Sequence, residues 1–234
     1  MAKSKIIKEL ANGKIDIQTA LKRAKVLFAE LENDSITEWI NNELMGYPDY
    51  KSLPSYRVYD GIVKGSYMKG TMVVHIEKSN VSLPLGSMPE EVKRKLLEIC
   101  FYDSIGAIKD LYESSQRDGS NICKQIPADY FSLFNKYNND PYMIISSAYV
   151  ELGHHNIYDI ISVVENKLLD ALILLEKEFG CLDELDIDIS DKNEGEIKRI
   201  NEKIQLVLLD QSISIGNNNN IKSSDFSSQN QKSE

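Results

Sequence analysis

Apolar residues recur at three- and four-residue intervals through positions 3–45, and that spacing predicts helix. Asn12-Gly13 marks a break between a short first helix and a second that begins near Asp16. In the second, Ala20, Leu21, Ala24, Leu27, Phe28 and Leu31 fall on one face, which has to pack against other elements. Ser35 and Glu38 have the spacing of a capping box, in which each side chain satisfies a free backbone donor of the other, so a third helix is expected to open there. Gly46 before Tyr47-Pro48 closes it, because glycine accepts a left-handed conformation and proline cannot continue the helix.

From 55 to 83 the pattern changes to β-branched and aromatic residues punctuated by Gly61, Gly65 and Gly70. Strands are expected over 58–63 and 71–77, the second with Met72, Val74 and Ile76 alternating, and residues 65–70 are expected to form the hairpin turn. Ser87 and Glu90 repeat the capping-box spacing around Pro89 and predict one long helix through Leu96, Leu97, Cys100, Ser104, Ile108 and Leu111. A loop over 119–126, a short helix over 129–137, a turn at Asn138-Asn139-Asp140-Pro141 and a strand over 142–152 follow. The strongest helical stripe is Ile157, Ile160, Ile161, Val164, Leu168, Ala171, Leu172 and Leu175, closed by Gly180. A last helix over 194–209 presents Ile197, Ile200, Ile204, Val207 and Leu208, and beyond it Asn217 to Asn220 open a Ser/Gln/Lys-rich end with few apolar anchors. The expected fold class is α+β. It is mainly helical, with a small antiparallel β-sheet inserted between N-terminal and central helices, plus a C-terminal helix and a flexible tail.

Charge narrows the partners. The 234 residues carry 36 Asp plus Glu against 27 Lys plus Arg, a net charge of −9, which argues against a general phosphate-backbone binder. Acid is concentrated over 158–210, where 14 carboxylates face 6 Lys plus Arg. With 42% hydrophobic and 27% charged residues, the composition is that of an ordinary soluble globular domain. The most apolar stretch, 168–175, is interrupted by Asp170 and falls far below the roughly 18 apolar residues that span a bilayer. Lys8, Glu9 and Lys14 stand where an export signal would need an apolar run. Cys100, Cys123 and Cys181 are odd in number and widely separated, and read as reduced thiols. A cytoplasmic protein with no membrane partner and no general DNA binding is therefore expected.

The residues that could carry chemistry form no recognisable set. His75, His154 and His155, with Asp159 at helical spacing from the last, supply too few convergent metal ligands. Asp186-x-Asp188-x-Ser190 starts like a calcium loop, but Asp191 stands at its sixth position and Ile197 at its twelfth. Glu77-Lys78 lacks the intervening residue of a magnesium nuclease motif, and Glu165-Asn166-Lys167 has that spacing inside the strongest helix. No cofactor, metal ligand or catalytic residue is assigned. Tyr47, Tyr50, Tyr56, Arg57, Tyr59 and Tyr67 could form a stacking surface for a nucleotide or a protein, and packing within a small sheet is the weightier alternative. Trp39 is expected to anchor the third helix to the sheet.

The stretch Glu38-Trp39-Ile40-Asn41-Asn42-Glu43-Leu44-Met45-Gly46-Tyr47-Pro48-Asp49, followed by Leu53-Pro54-Ser55-Tyr56-Arg57-Val58, resembles the AbiTii domain of bacteria. In that family an N-terminal helical pair leads to W-x-x-x-E-L-x-G-Y and then to L-P-x-Y-R entering a small β segment. Residues 158–179, with Val163-Val164-Glu165-Asn166-Lys167-Leu168-Leu169-Asp170, are similar to the family's later helix, although Glu165 stands where an arginine is usual. The resemblance covers residues 3–180. An acidic linker and helix over 181–210 and an Asn/Ser-rich flexible tail over 211–234 complete the expected organisation.

The resemblance implies a component of a bacterial abortive-infection, or antiphage defence, system. It implies no reaction, so Trp39, Glu43, Gly46, Tyr47, Pro54, Tyr56 and Arg57 are motif positions of binding or structural use. Gly46 suits a helix C-cap, and Glu43 is placed to pair with Arg57 across the helix-sheet junction. The expected mode of action is binding, as a sensor, scaffold or regulator of a protein partner encoded nearby. Two alternatives are kept: the toxic effector itself, such as a nuclease with a dispersed site, and a structural homo-oligomer.

Overall fold

A computed structural model describes residues 3–71 and 73–209. Three helices open the chain: α1 (Lys5–Ala11), α2 (Ile17–Ala29) and α3 (Asp34–Met45). The Asp16 carboxylate caps α2 by accepting from the Gln18 N–H, and the apolar stripe of α2 is buried as its spacing requires. α3 starts one residue before the expected Ser35. Its cap is Asn33, whose side-chain oxygen accepts from the Ile36 N–H at 3.1 Å, so the Ser35/Glu38 pair is not the capping box.

The β region holds two antiparallel sheets. β1 (Val58–Asp60) pairs with β4 (Glu98–Cys100), and a four-stranded sheet runs β3-β2-β6-β5, with β2 (Ile62–Gly70), β3 (His75–Ser82), β5 (Ile122–Gln125) and β6 (Met143–Leu152). β2 runs through the expected turn at 65–70, and the hairpin closes between Gly70 and His75. Gly65 is instead a strand residue opposite Ala148, where a Cβ would come within 2.1 Å of the Ser147 carbonyl oxygen; the glycine permits a close approach of backbones.

The single long helix expected after Pro89 is two helices, α4 (Glu90–Leu97) and α5 (Ile105–Asp118), separated by β4. Ile99 and Phe101 turn into the core there, and the strand bonds to β1 in the register Tyr59↔Ile99, an outcome decided by tertiary pairing. The expected 119–126 loop contains β5, which is recruited onto the edge of β6. α6 (Phe131–Asn138), preceded by a 3-10 turn, and β6 agree with expectation. α7 (His154–Phe179) begins three residues before the first apolar position of its stripe, and α8 (Glu194–Leu209) matches.

One core joins these parts. Ile157, Ile160, Val164, Leu168, Leu172 and Leu175 of α7 are buried at its centre. Around them gather α1, α5 and α8, together with the inner sheet face of Val63, Ala148, Val150 and Leu152. α8 packs on α7 and α3 through Ile200, Ile204 and Leu208. Among the described residues no helix is long and apolar enough to cross a membrane. The expected tail lies outside the described residues. The architecture is α+β, predominantly helical with small antiparallel sheets, as its sequence pattern implied.

Candidate functional site

α3 places Trp39 and Glu43 four residues apart on its buried face, together with Ile36 and Ile40. The helix then has to stop so that the chain can fold back over that face. Gly46 does this at φ 98°, and a Cβ there would lie 2.7 Å from the carbonyl oxygen of Tyr102, so the position demands glycine on two counts. The next amide, Tyr47 N–H, donates to that same carbonyl at 2.7 Å. Asp49 then makes an Asx turn, accepting from the Lys51 and Ser52 amides at 2.9 Å each. Leu53-Pro54 leads into a 3-10 turn at Ser55–Arg57.

The returning segment brings four polar side chains together in the interior. Arg57 Nη2 donates to Glu43 Oε2 at 2.5 Å, and neither side chain has any exposed surface. Arg57 Nη1 donates to the carbonyls of Phe101 at 3.0 Å and Asp103 at 2.7 Å. The other carboxylate oxygen, Glu43 Oε1, accepts from Tyr47 OH at 2.6 Å and Tyr56 OH at 2.7 Å. Trp39 Nε1 donates to Tyr56 OH at 3.0 Å, and the Arg57 guanidinium stacks 4.8 Å from the centre of the Tyr47 ring. Lys167 of α7 lies 5.7 Å from the Tyr56 ring and donates to the Val207 carbonyl at 2.9 Å, linking the cluster to the end of α8.

Electrostatics follow from that geometry. Burial, and after it the charge of Glu43, pushes the Tyr47 and Tyr56 phenols far above their ordinary range. Both are thereby favoured as protonated donors to Glu43. Among the described residues the Arg57 Nε has no partner, which leaves an unbonded guanidinium donor in the interior.

Six of the seven family-motif positions thus meet in one place. Trp39, Glu43, Tyr47, Tyr56 and Arg57 form the network, Gly46 makes the turn, and the seventh, Pro54, sets up the 3-10 turn. The expected pairing of Glu43 with Arg57 is present. Trp39 is buried as an anchor, and its hydrogen-bonding partner is Tyr56 in the turn. Of the six residues considered as a stacking surface, Tyr47, Tyr56 and Arg57 meet in the network, whereas Tyr50, Tyr59 and Tyr67 lie apart from it. Tyr47 and Arg57 are buried, Tyr59 packs edge-on against Phe101, Tyr50 reaches Glu98, and Tyr67 lies within β2.

Over this network the surface opens into a cleft of about 460 Å³. It lies between α3 (Ser35, Glu38, Asn42), the 51–56 segment and Leu208-Leu209 at the end of α8. Its floor is Trp39, Tyr47 and Tyr56. A larger hollow of about 550 Å³ runs beside α8, lined by Lys192, Glu194, Lys198 and Glu202, and no motif residue borders it. The motif cleft is the better candidate, because the residues that build it are those of the motif. Lys51, Asn42 and Leu208 were not singled out from sequence. Lys51 and Asn42 could have been found as the polar positions interleaved with the motif, whereas only tertiary packing brings Leu208 there.

The remaining sequence candidates stay apart. His75 is on the edge strand β3, while His154 and His155 open α7. Asp188 accepts from the amide and hydroxyl of Ser190 in a local turn. Glu165 and Lys167 diverge: Lys167 reaches Val207, whereas burial raises the pKa of Glu165 beside Lys109 and Asp16. Among the described residues no three His, Cys, Asp or Glu side chains are grouped to hold a metal ion.

Comparison with known proteins bears on this motif directly. No curated protein and no solved structure matches the chain significantly. The AbiTii family model matches residues 4–196, from the residue before α1 into the first turn of α8. That span includes every residue of the buried network and most of the cleft, and the chain belongs to the AbiTii family, whose role is in abortive infection and antiphage defence.

Proposed function

We propose that the protein serves abortive infection by contact, as a sensor, scaffold or regulator that receives a segment of a protein partner in the motif cleft. One observation carries the reading. The acid and the base of the family motif, Glu43 and Arg57, are joined in the interior with no exposed surface, so the motif's charged groups are committed to holding a shape. The shape they hold is the wall of a cleft. The network fixes the 47–57 segment against α3 and the 101–104 turn, and the surface it creates mixes an aromatic floor with Glu38, Asn42 and Lys51 at the rim. A floor of Trp and Tyr beneath a polar rim is the composition of a protein-recognition surface.

The experiment is a phage-protection assay with rim variants. Lys51→Glu and Asn42→Ala change side chains at the cleft without touching the buried network, so both should melt like the unaltered protein while protection falls. Full protection from a folded Lys51→Glu, Asn42→Ala double variant would refute the cleft as the working surface.

A further inference from the structure

A concentrated run of exposed aliphatic surface lies outside the motif, at an edge of the four-stranded sheet that is free among the described residues. β3 is an edge strand, and at the hairpin joining it to β2 the side chains of Val73, Val74 and Ile76 are 90%, 76% and 63% exposed. Bare β-branched side chains along the unpaired edge of a strand make a template for another strand.

The backbone of β3 restricts what that strand can be. The Thr71 N–H donates to the Val74 carbonyl at 2.9 Å, so these two residues form the bonded pair that closes the hairpin. Bonded and non-bonded pairs alternate along an antiparallel ladder. Ile76, opposite Lys69, and Lys78, opposite Tyr67, therefore bond to β2. His75 and Glu77 direct their N–H and C=O groups to the free edge. Beyond Lys78 the ladder is interrupted, with a register shift between Gly65 and Tyr67 and Asn80 at a left-handed φ of 53°. The regular free edge is thus confined to residues 74–78.

We propose that this stretch pairs antiparallel with the same stretch of a second copy of the chain, about a twofold axis through Ile76. An axis normal to the sheet keeps each face on its own side, so only residues of one face can stand opposite each other. Centred on Ile76, the register sets His75 opposite Glu77 of the second copy, twice, each as a bonded backbone pair with complementary side chains. Ile76 meets its own counterpart on the other face, and Val74 lies against the aliphatic stem of Lys78. Shifting the centre to Glu77 would set two carboxylates against each other. Charge favours the Ile76-centred register over the Glu77-centred one, and the joined sheet would run β5-β6-β2-β3-β3-β2-β6-β5. The pairing is independent of how the motif cleft is used.

Sedimentation equilibrium of the full chain over the micromolar range tests it. The unaltered protein should form a concentration-dependent dimer. His75→Glu, which sets carboxylates opposite each other at two places, should weaken it by about tenfold or more. The exchange variant His75→Glu, Glu77→His restores opposite partners in the same register and should recover the dimer, whereas Ile76→Lys should abolish it. These positions are exposed, and circular dichroism checks that each variant is folded. A monomer throughout the range, a dimer indifferent to His75→Glu, or an exchange variant that stays as weak as the single variant would each overturn the proposal.

Discussion

Replacing Glu43 by glutamine isolates the charge at the centre of the family motif. The side chain keeps its shape and one carbonyl oxygen, so packing is nearly unchanged. What is lost is the counter-charge of Arg57. That guanidinium keeps the Phe101 and Asp103 carbonyls as acceptors, but its Nε is already without a partner among the described residues and no part of the side chain reaches solvent. Tyr47 and Tyr56, both donating to Glu43 Oε1, also face a weaker acceptor. Uncompensating one member of a buried pair costs about 3–5 kcal/mol. For a domain of this size each kcal/mol moves Tm by roughly 2–4 °C, so a drop on the order of 6–20 °C is expected.

Urea unfolding followed by circular dichroism measures the cost, provided the slope m stays constant between variants. Glu91→Gln is the control. It breaks the Lys95–Glu91 pair, in which both side chains are 73% exposed, and should change stability by about 0–1 kcal/mol. Replacing both partners, Glu43→Leu with Arg57→Met, removes the stranded charge and should recover part of the loss. A Glu43→Gln variant as stable as the Glu91→Gln control would refute the reading of the motif as a buried clamp.

Three further outcomes follow from the same structure. Burial opposes ionisation of Glu176, but hydrogen bonds from Lys3 and Ser4 outweigh it and lower its pKa from 4.5 to about 2. The folded state therefore binds this proton less readily than the unfolded chain, and the stabilisation is complete above pH 4.5 and lost as pH falls toward 2. Thermal melts across that window should show a shallower decline for Glu176→Gln. Gly46→Ala forces a side chain into a left-handed turn 2.7 Å from the Tyr102 carbonyl oxygen and should destabilise by about 1–3 kcal/mol in urea titrations. Asp16→Ala removes both the cap of α2 and the partner of Lys109, and a loss near 1 kcal/mol is expected by the same method.

How far the fold can be read from the sequence depends on where each segment finds its partners. α2 and α7 are legible because their apolar stripes are long and each helix meets the core along one face. β4 and β5 are not, since three- and four-residue strands exist only through the neighbours that bond them. No proline or glycine separates Leu97 from Cys100, and the burial of Ile99 and Phe101 is visible only once β1 is in place. The hairpin turn departs from the expected 65–70 for a related reason. Gly65 carries the signature of a turn, but its role is to let β2 approach β6. At the site, opposite charges fourteen residues apart were enough to suggest the Glu43–Arg57 pair. Their complete burial, which separates a clamp from a binding pocket, depends on the 101–104 turn and could not be seen in the motif itself.

Growth of cells expressing the full chain alone, without its genetic neighbours and without phage, tests the central claim most directly. A protein that acts by occupying or being occupied leaves the growth curve unchanged until its partner is present. Arrest on induction of this chain by itself, with soluble folded protein in the cells, would contradict the account and assign the damaging activity to the chain.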